Sequence, residues 1–152
     1  MNILKTSFLV FFLTVISSLN SPLKAQTGKL DLEITNIAEV AGSVRIAVYA
    51  GEENFLESGK ETLERSWAVV QEGPMKIQLE ELPFGVFSVA VYHDLNNNDE
   101  LDTNFMGIPN EPYGFSNDAR SKWGPPKFSD ARFELNQKHQ KMVIQVKKWS
   151  KQ

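Results

Sequence analysis

From Lys29 onward, apolar and polar residues alternate in short runs. Residues 29–37 (KLDLEITNI) place Leu30, Leu32 and Ile34 on one side and Asp31, Glu33 and Thr35 on the other. Successive strand side chains point to opposite faces, so this pattern predicts a strand with one buried face. Residues 36–42 read as a turn. Residues 43–50 (SVRIAVYA) repeat the alternation with Val44, Ile46 and Val48 inward, and the two runs are expected to form a hairpin. Residues 51–64 are irregular and polar and read as a loop with one helical turn, Phe55 and Leu56 tucking into the edge of the fold. A short strand is expected at 66–71 (SWAVVQ). Residues 75–82 set Met75, Ile77 and Leu79 against Lys76, Gln78 and Glu80, and Pro83, Phe84 and Gly85 end the run.

Residues 86–93 (VFSVAVYH) carry Phe87, Val89 and Val91 on one face. The other face, Ser88, Ala90 and Tyr92, is semi-apolar, which predicts a central strand covered on both sides. After a long loop, residues 127–135 carry Phe128, Ala131, Phe133 and Leu135. Residues 138–148 close the pattern with Met142, Ile144 and Val146 inward. About seven short strands with turn signals between them, and no long helix, predict an all-β fold. The expected form is an antiparallel β-sandwich with transthyretin-like or immunoglobulin-like Greek-key links and one long ordered loop.

Composition adds limits. The chain has 152 residues, within the ~100–200 expected of one domain. Its 41% hydrophobic content suffices for one core. The absence of Cys excludes disulfides, thiolate metal sites, cysteine nucleophiles and a lipoprotein anchor. Residues 1–25 read as a secretory signal peptide. Lys5 gives a positive start, residues 7–19 (SFLVFFLTVISSL) are apolar but short for a membrane span, and cleavage is expected after Ala25. Residues 26–152 then form the domain, exported to the periplasm or beyond, with no membrane span after cleavage. Of the sixteen Lys and Arg, Lys5 and Lys24 leave with the leader. Fourteen then face nineteen Asp and Glu, for a charge of about −5. That balance argues against a nucleic-acid partner.

The candidate chemistry lies at 94–102. Asp94, Asn96, Asn98, Glu100 and Asp102 occupy every second position directly after a strand. Calcium takes ~6–8 oxygen ligands, and a loop of alternating oxygen side chains can wrap it. Glu100 is expected to offer its backbone carbonyl. An EF-hand needs Gly at position six and Glu at position twelve, whereas Asp99 and Phe105 stand there, so the run is not an EF-hand. It is closer to the D-x-N-x-N-x-x-x-D loops between strands of secreted sandwich domains such as adhesin B repeats. Those carry a Gly after the second Asn and a Glu beyond the last Asp, both missing here. Glu111 or Asp118 is the expected completing ligand. The competing reading is a solvated turn, since Asn and Asp side chains readily bond their own backbone.

The loop from 94 to 127 exceeds the ~12–15 residues of ordinary connections. Phe105, Met106, Ile108, Tyr113, Phe115 and Trp123 are expected to anchor it. Tyr113, Phe115 and Trp123 are candidates for a surface that takes a glycan or a cell-envelope protein, against the alternative that they pack inward. Catalysis finds little support. His93 and Asp94 are strand neighbours on opposite faces, and Ser116 has no evident base. A carboxylate-based hydrolase using Asp94 or Glu111, and a purely structural envelope module, are the alternatives.

The run HDLNNNDELDTNFMGIPNEPYGFSNDAR, followed by GPPKFSDARF, resembles the small exported bacterial proteins grouped as domain of unknown function 2141. The resemblance covers about 30–146. Its recognisable positions are Asp94, Asn96, Asn98, Asp102, Gly107, Pro109, Tyr113, Gly114, Phe115, Ser116 and Asn117. It implies a signal peptide, a β-sandwich and no established activity.

Overall fold

The structure, a computed structural model, describes residues 25–150. The expected leader lies outside these residues except for Ala25. Alternation becomes strands where it was read. β1 (Thr27–Thr35) buries every second side chain, and β2 (Ser43–Ala50), β4 (Met75–Pro83), β5 (Gly85–Asp94) and the far end of β8 (His139–Gln145) bury most of the apolar positions read as inward. β3 (Leu63–Ala68), β6 (Tyr113–Phe115) and β7 (Phe133–Leu135) complete eight strands among the described residues.

Two sheets pack face to face. One has the order β4-β1-β8. The other runs β3-β2-β5, with β6 and β7 both on the far edge of β5. Leu30, Leu32, Ile34, Ile77, Leu79 and Ile144 come from the first sheet. They meet Val44, Ile46, Val48, Phe87, Val89, Val91 and Leu135 of the second, and all are buried. Burying such side chains is worth roughly 1.5–3 kcal/mol each, which suffices for a disulfide-free core.

The sandwich matches the expectation, but three details differ. β1 and β2 are not a hairpin: β1 pairs with β4 and β8, and β2 pairs with β3 and β5. The first two runs therefore face each other across the core. The β1–β8 pair is parallel, with Lys29 opposite His139 and Thr35 opposite Gln145, so the first sheet is mixed rather than wholly antiparallel. Residues 127–135 are not one strand. Phe128–Ala131 form a helical turn, α1, before β7, because the apolar pair Phe128 and Ala131 is spaced for a helix.

β6 and β7 divide the outer edge of β5. β7 takes Gly85 to Phe87, and β6 takes Ala90 to Tyr92. The gap between them would strand the Val89 backbone. Ser116 fills it: its hydroxyl accepts from Val89 N at 2.9 Å and donates to Ala131 O at 2.5 Å. Phe55, Phe115, Phe128, Ala119 and Ala131 form a second, smaller apolar cluster beside Ala90. The semi-apolar outer face of β5 is thereby partly covered: Ser88 is buried, Ala90 and Tyr92 are half-buried, and Val86 is exposed. Phe55 tucks in as expected, whereas Leu56 is exposed.

Candidate functional site

β5 ends at Asp94, which is fully buried and lies opposite Ser43 of β2. The chain then winds tightly back on that carboxylate. Asp94 Oδ1 accepts from Asn98 N at 3.1 Å and Oδ2 from Asp99 N at 3.0 Å. Asn97 and Asp99 adopt left-handed backbone, with φ of 55° and 68°. Asn and Asp tolerate this region better than other side chains. Asp99 thus makes the turn at the sixth position that Gly makes in EF-hand loops. The missing glycine does not prevent the winding.

The winding brings the alternating side chains together. Asn96 Nδ2 donates to Asp102 Oδ2 at 2.8 Å, and Asn98 Nδ2 donates to Asp102 Oδ1 at 2.9 Å. The two amide oxygens accept from Asn98 N and Glu100 N. The Glu100 side chain points to solvent.

Glu111 arrives from the far side of the loop and is 3% exposed. Its Oε1 accepts from Leu95 N at 2.7 Å and its Oε2 from Asp102 N at 3.0 Å. It is thus the expected completing residue that the fold delivers to the loop. Asp118 is not. Its Oδ1 accepts from Gln145 N on β8 at 3.0 Å, so it fastens the flap to the other sheet instead. Among the described residues, no three His, Cys, Asp or Glu side chains form a metal-holding group by themselves. A cation here would draw on the Asn96 and Asn98 carbonyls and on backbone oxygens as well.

One cation of the protein's own reaches the loop. Arg45 on β2 pairs with Glu64 of β3 at 2.9 Å and with Asp99. Its guanidinium pKa is raised, first by the hydrogen bond to Glu64. Tyr92, opposite Arg45, has its phenol pushed up to about 12, chiefly by burial.

The flap's aromatics divide differently from expectation. Phe115 is 6% exposed and packs against Phe55 and Tyr113, so it forms no surface. Tyr113 is half-buried, with the Arg120 guanidinium 5.7 Å from its ring centre. Of the three surface candidates only Trp123, 83% exposed, faces solvent fully. Phe105 and Met106, expected as anchors, are also exposed, at 97% and 64%. They top a tight turn, and their neighbours in the sequence gave no sign that this turn projects outward.

The candidate catalytic groups are committed elsewhere. The His93 ring is buried, with Nε2 2.7 Å from Ala41 O. Ser116 serves the β5 edge.

A family model described as an uncharacterized protein conserved in bacteria, DUF2141, matches residues 32–143. The chain belongs to the DUF2141 family. The match runs from β1 into β8 and includes the whole loop and flap, so in this DUF2141 protein the site is part of the family's domain. Comparison with curated proteins and with solved structures gave no match. Among the described residues no helix is long and apolar enough to cross a membrane.

Proposed function

We propose that this chain is an exported, non-enzymatic binding domain whose 94–102 loop takes Ca²⁺. The ion fixes the flap, and the flap's surface takes a cell-envelope protein or a glycan. The observation that carries this reading is the winding of 94–102 around the buried Asp94 carboxylate. It links the side chains of Asp94, Asn96, Asn98 and Asp102 through a chain of hydrogen bonds within nine residues. Hard-cation loops are built from such oxygens, and many ligands on one flexible segment suit Ca²⁺ over Mg²⁺. Binding would exchange the amide-to-Asp102 hydrogen bonds for ion contacts. Export rests on the apolar leader pattern at 1–25.

A second reading is a structural module of the envelope with no metal. It is favoured by the fact that both oxygens of Asp94, Asp102 and Glu111 already accept N–H donors. The same bonds weigh against a hydrolase, because Asp94 and Glu111 are buried and engaged. Calorimetric titration of the chelator-treated domain with Ca²⁺ separates the first two. Saturable heat that vanishes in Asp102→Ala supports the ion. Absence of heat at millimolar Ca²⁺ leaves the metal-free module.

A further inference from the structure

We infer that one side of the sandwich, along β8 and the 119–127 loop, binds an acidic glycan, with Trp123 stacked on a sugar ring and lysines on its anionic groups. This names the chemistry of the glycan in the proposed function and rests on that reading's glycan surface, not on its cation. Charge is divided unevenly along the chain. Residues 119–150 hold eight Lys and Arg against two Asp and Glu, whereas residues 25–118 hold five against seventeen. The fold turns this division of sequence into a division of surface. β8 is the end strand of the first sheet, and β6 and β7 lie on the far edge of the second. These two edges are tied together: Tyr113 bridges Lys147, and Arg120 of the flap donates to Gln145 O at 2.6 Å. The 119–127 loop, β7 and β8 therefore share one side of the sandwich, and β3 and β4 close the other.

The cations on this side are free to meet a ligand. Lys122, Lys127, Lys138, Lys141 and Lys147 are exposed, and among the described residues none of them pairs with a carboxylate. Lys138 and Lys147 bracket a strand about 23 Å long, with Lys141 inside it, so the charges form a strip. Trp123 stands on the loop beside it, 83% exposed. Its turn is preorganised. Trp123 N donates to Ser121 Oγ at 3.3 Å, and that hydroxyl donates to Trp123 O at 3.0 Å. Arg120 and the buried Phe128 fix the two ends of the loop. A ring held in this way offers a flat apolar face at little cost in conformational freedom, and unpaired lysines supply charge-assisted contacts to anionic substituents. A polymer strand meets the strip alone, whereas an extended anionic membrane also faces the acidic surface beside it. Single-stranded nucleic acids are bound by several aromatic platforms among basic residues. Here Trp123 is the one exposed Phe, Tyr or Trp ring in residues 119–150.

Calorimetric titration of the protein in chelator with oligogalacturonate, a carboxylated sugar chain, and with dextran sulfate, a sulfated one, tests this. Saturable binding to at least one of them is expected, weakened by added salt and absent with neutral dextran. Trp123→Ala, and separately Lys141→Gln with Lys147→Gln, change exposed side chains and are each expected to weaken binding about tenfold. Lys60→Gln with Lys76→Gln makes the same change in net charge away from the strip and is expected to leave the affinity as it was. Circular dichroism checks that the variants fold. Binding in chelator without any heat from Ca²⁺ supports the strip while the cation reading fails, and heat from Ca²⁺ without glycan binding does the reverse. Binding to neutral dextran that survives the Lys141 and Lys147 changes keeps a glycan surface and overturns the acidic strip. Three further outcomes overturn the proposal: no binding to either acidic glycan, equal weakening by the Lys60 and Lys76 changes, or tighter binding to oligothymidylate or phosphatidylglycerol vesicles than to the glycans.

Discussion

Two buried serines near the edge of β5 place opposite demands on their surroundings. Ser116 supplies the partner that Val89 N lacks between β6 and β7. Ser116→Ala leaves that buried N–H unpaired, together with Ala131 O, and is expected to cost about 2 kcal/mol. Ser88 is equally buried, yet its hydroxyl finds no partner among the described residues. Ser88→Ala removes an unpaired group and is expected to be neutral or stabilising by up to ~1 kcal/mol. Urea midpoints of the two variants check the contrast, and equal losses in both would contradict it. Two tyrosines make a pH prediction of the same local kind. Burial first, and nearby carboxylates after it, push the Tyr49 phenol from its ordinary 10 up to about 12. Tyr92 is pushed up to about 12 as well, chiefly by burial and against the opposing Arg45 charge. The folded chain therefore keeps protons that the unfolded chain has released. Their stabilising contribution is whole below pH 10 and is lost as pH rises through about 12. Denaturant midpoints should fall across this window, and Tyr49→Phe with Tyr92→Phe should flatten the fall. An unchanged slope in the double variant counts against it.

Among the elements, the turn at 51–57 is anchored to the sandwich by the Phe55 ring. Phe55 makes edge contacts with Tyr49, Phe115 and Phe128 at centroid distances of 5.8, 6.1 and 5.7 Å. Phe55→Ala opens the second cluster and, because the ring is only part-buried, is expected to cost about 2–3 kcal/mol. The denaturation slope should change little, since the main core stays whole; a large change in slope would mean that the two clusters unfold separately. The same cluster shows what sequence pattern reveals and what it does not. β1, β2, β4, β5 and β8 were legible because each alternates for seven residues or more, and burial of one face enforces period two. β6 was not, because it is three residues around Gly114. That strand exists through its partners: a Cβ on Gly114 would stand 2.7 Å from Gln145 O and 2.9 Å from Ile144 Cγ2. β3 was read three residues late, since an edge strand with exposed Glu64, Arg65 and Ser66 has little alternation to read. The β1–β8 parallel pair joins distant stretches of chain, and no local pattern encodes it. In the site, the acid and amide spacing and the nearness of Glu111 to the loop were legible from residue type, whereas its two bonds to Leu95 N and Asp102 N were not. The left-handed backbone at Asp99 accompanies its bond to Asp94 five residues earlier, whereas the diversion of Asp118 to β8 and the inward turn of Phe115 depend on neighbours far along the chain.

The loop and flap connect both sheets, which would give the proposed cation binding a global consequence. Arg45 links Asp99 to Glu64 on β3, and Glu111 joins Leu95 to Asp102. From the flap, Asp118 accepts from Gln145 N, and Arg120 donates to Tyr113 O at 3.1 Å and to Gln145 O at 2.6 Å. Gly42, with φ of 61°, lies so close to the loop root that a Cβ would collide with the Asp94 carbonyl oxygen. An ion held at 94–102 therefore restrains a segment whose release would loosen both sheets. Its binding energy should appear as one cooperative rise in Tm rather than as local ordering. A ligand that binds only the folded state contributes about 2.7 kcal/mol at ~100-fold over its Kd. For a domain of this size that is a rise of roughly 10 °C. Differential scanning calorimetry in Ca²⁺, Mg²⁺ and chelator measures it. The largest shift is expected in Ca²⁺, a smaller one in Mg²⁺, which demands stricter octahedral geometry. Asp102→Ala should abolish the shift while lowering the chelator Tm only modestly, because it removes side-chain bonds from exposed amides. Identical Tm in all three conditions would mean that the loop's own N–H donors suffice, and the domain would then stand on its core alone.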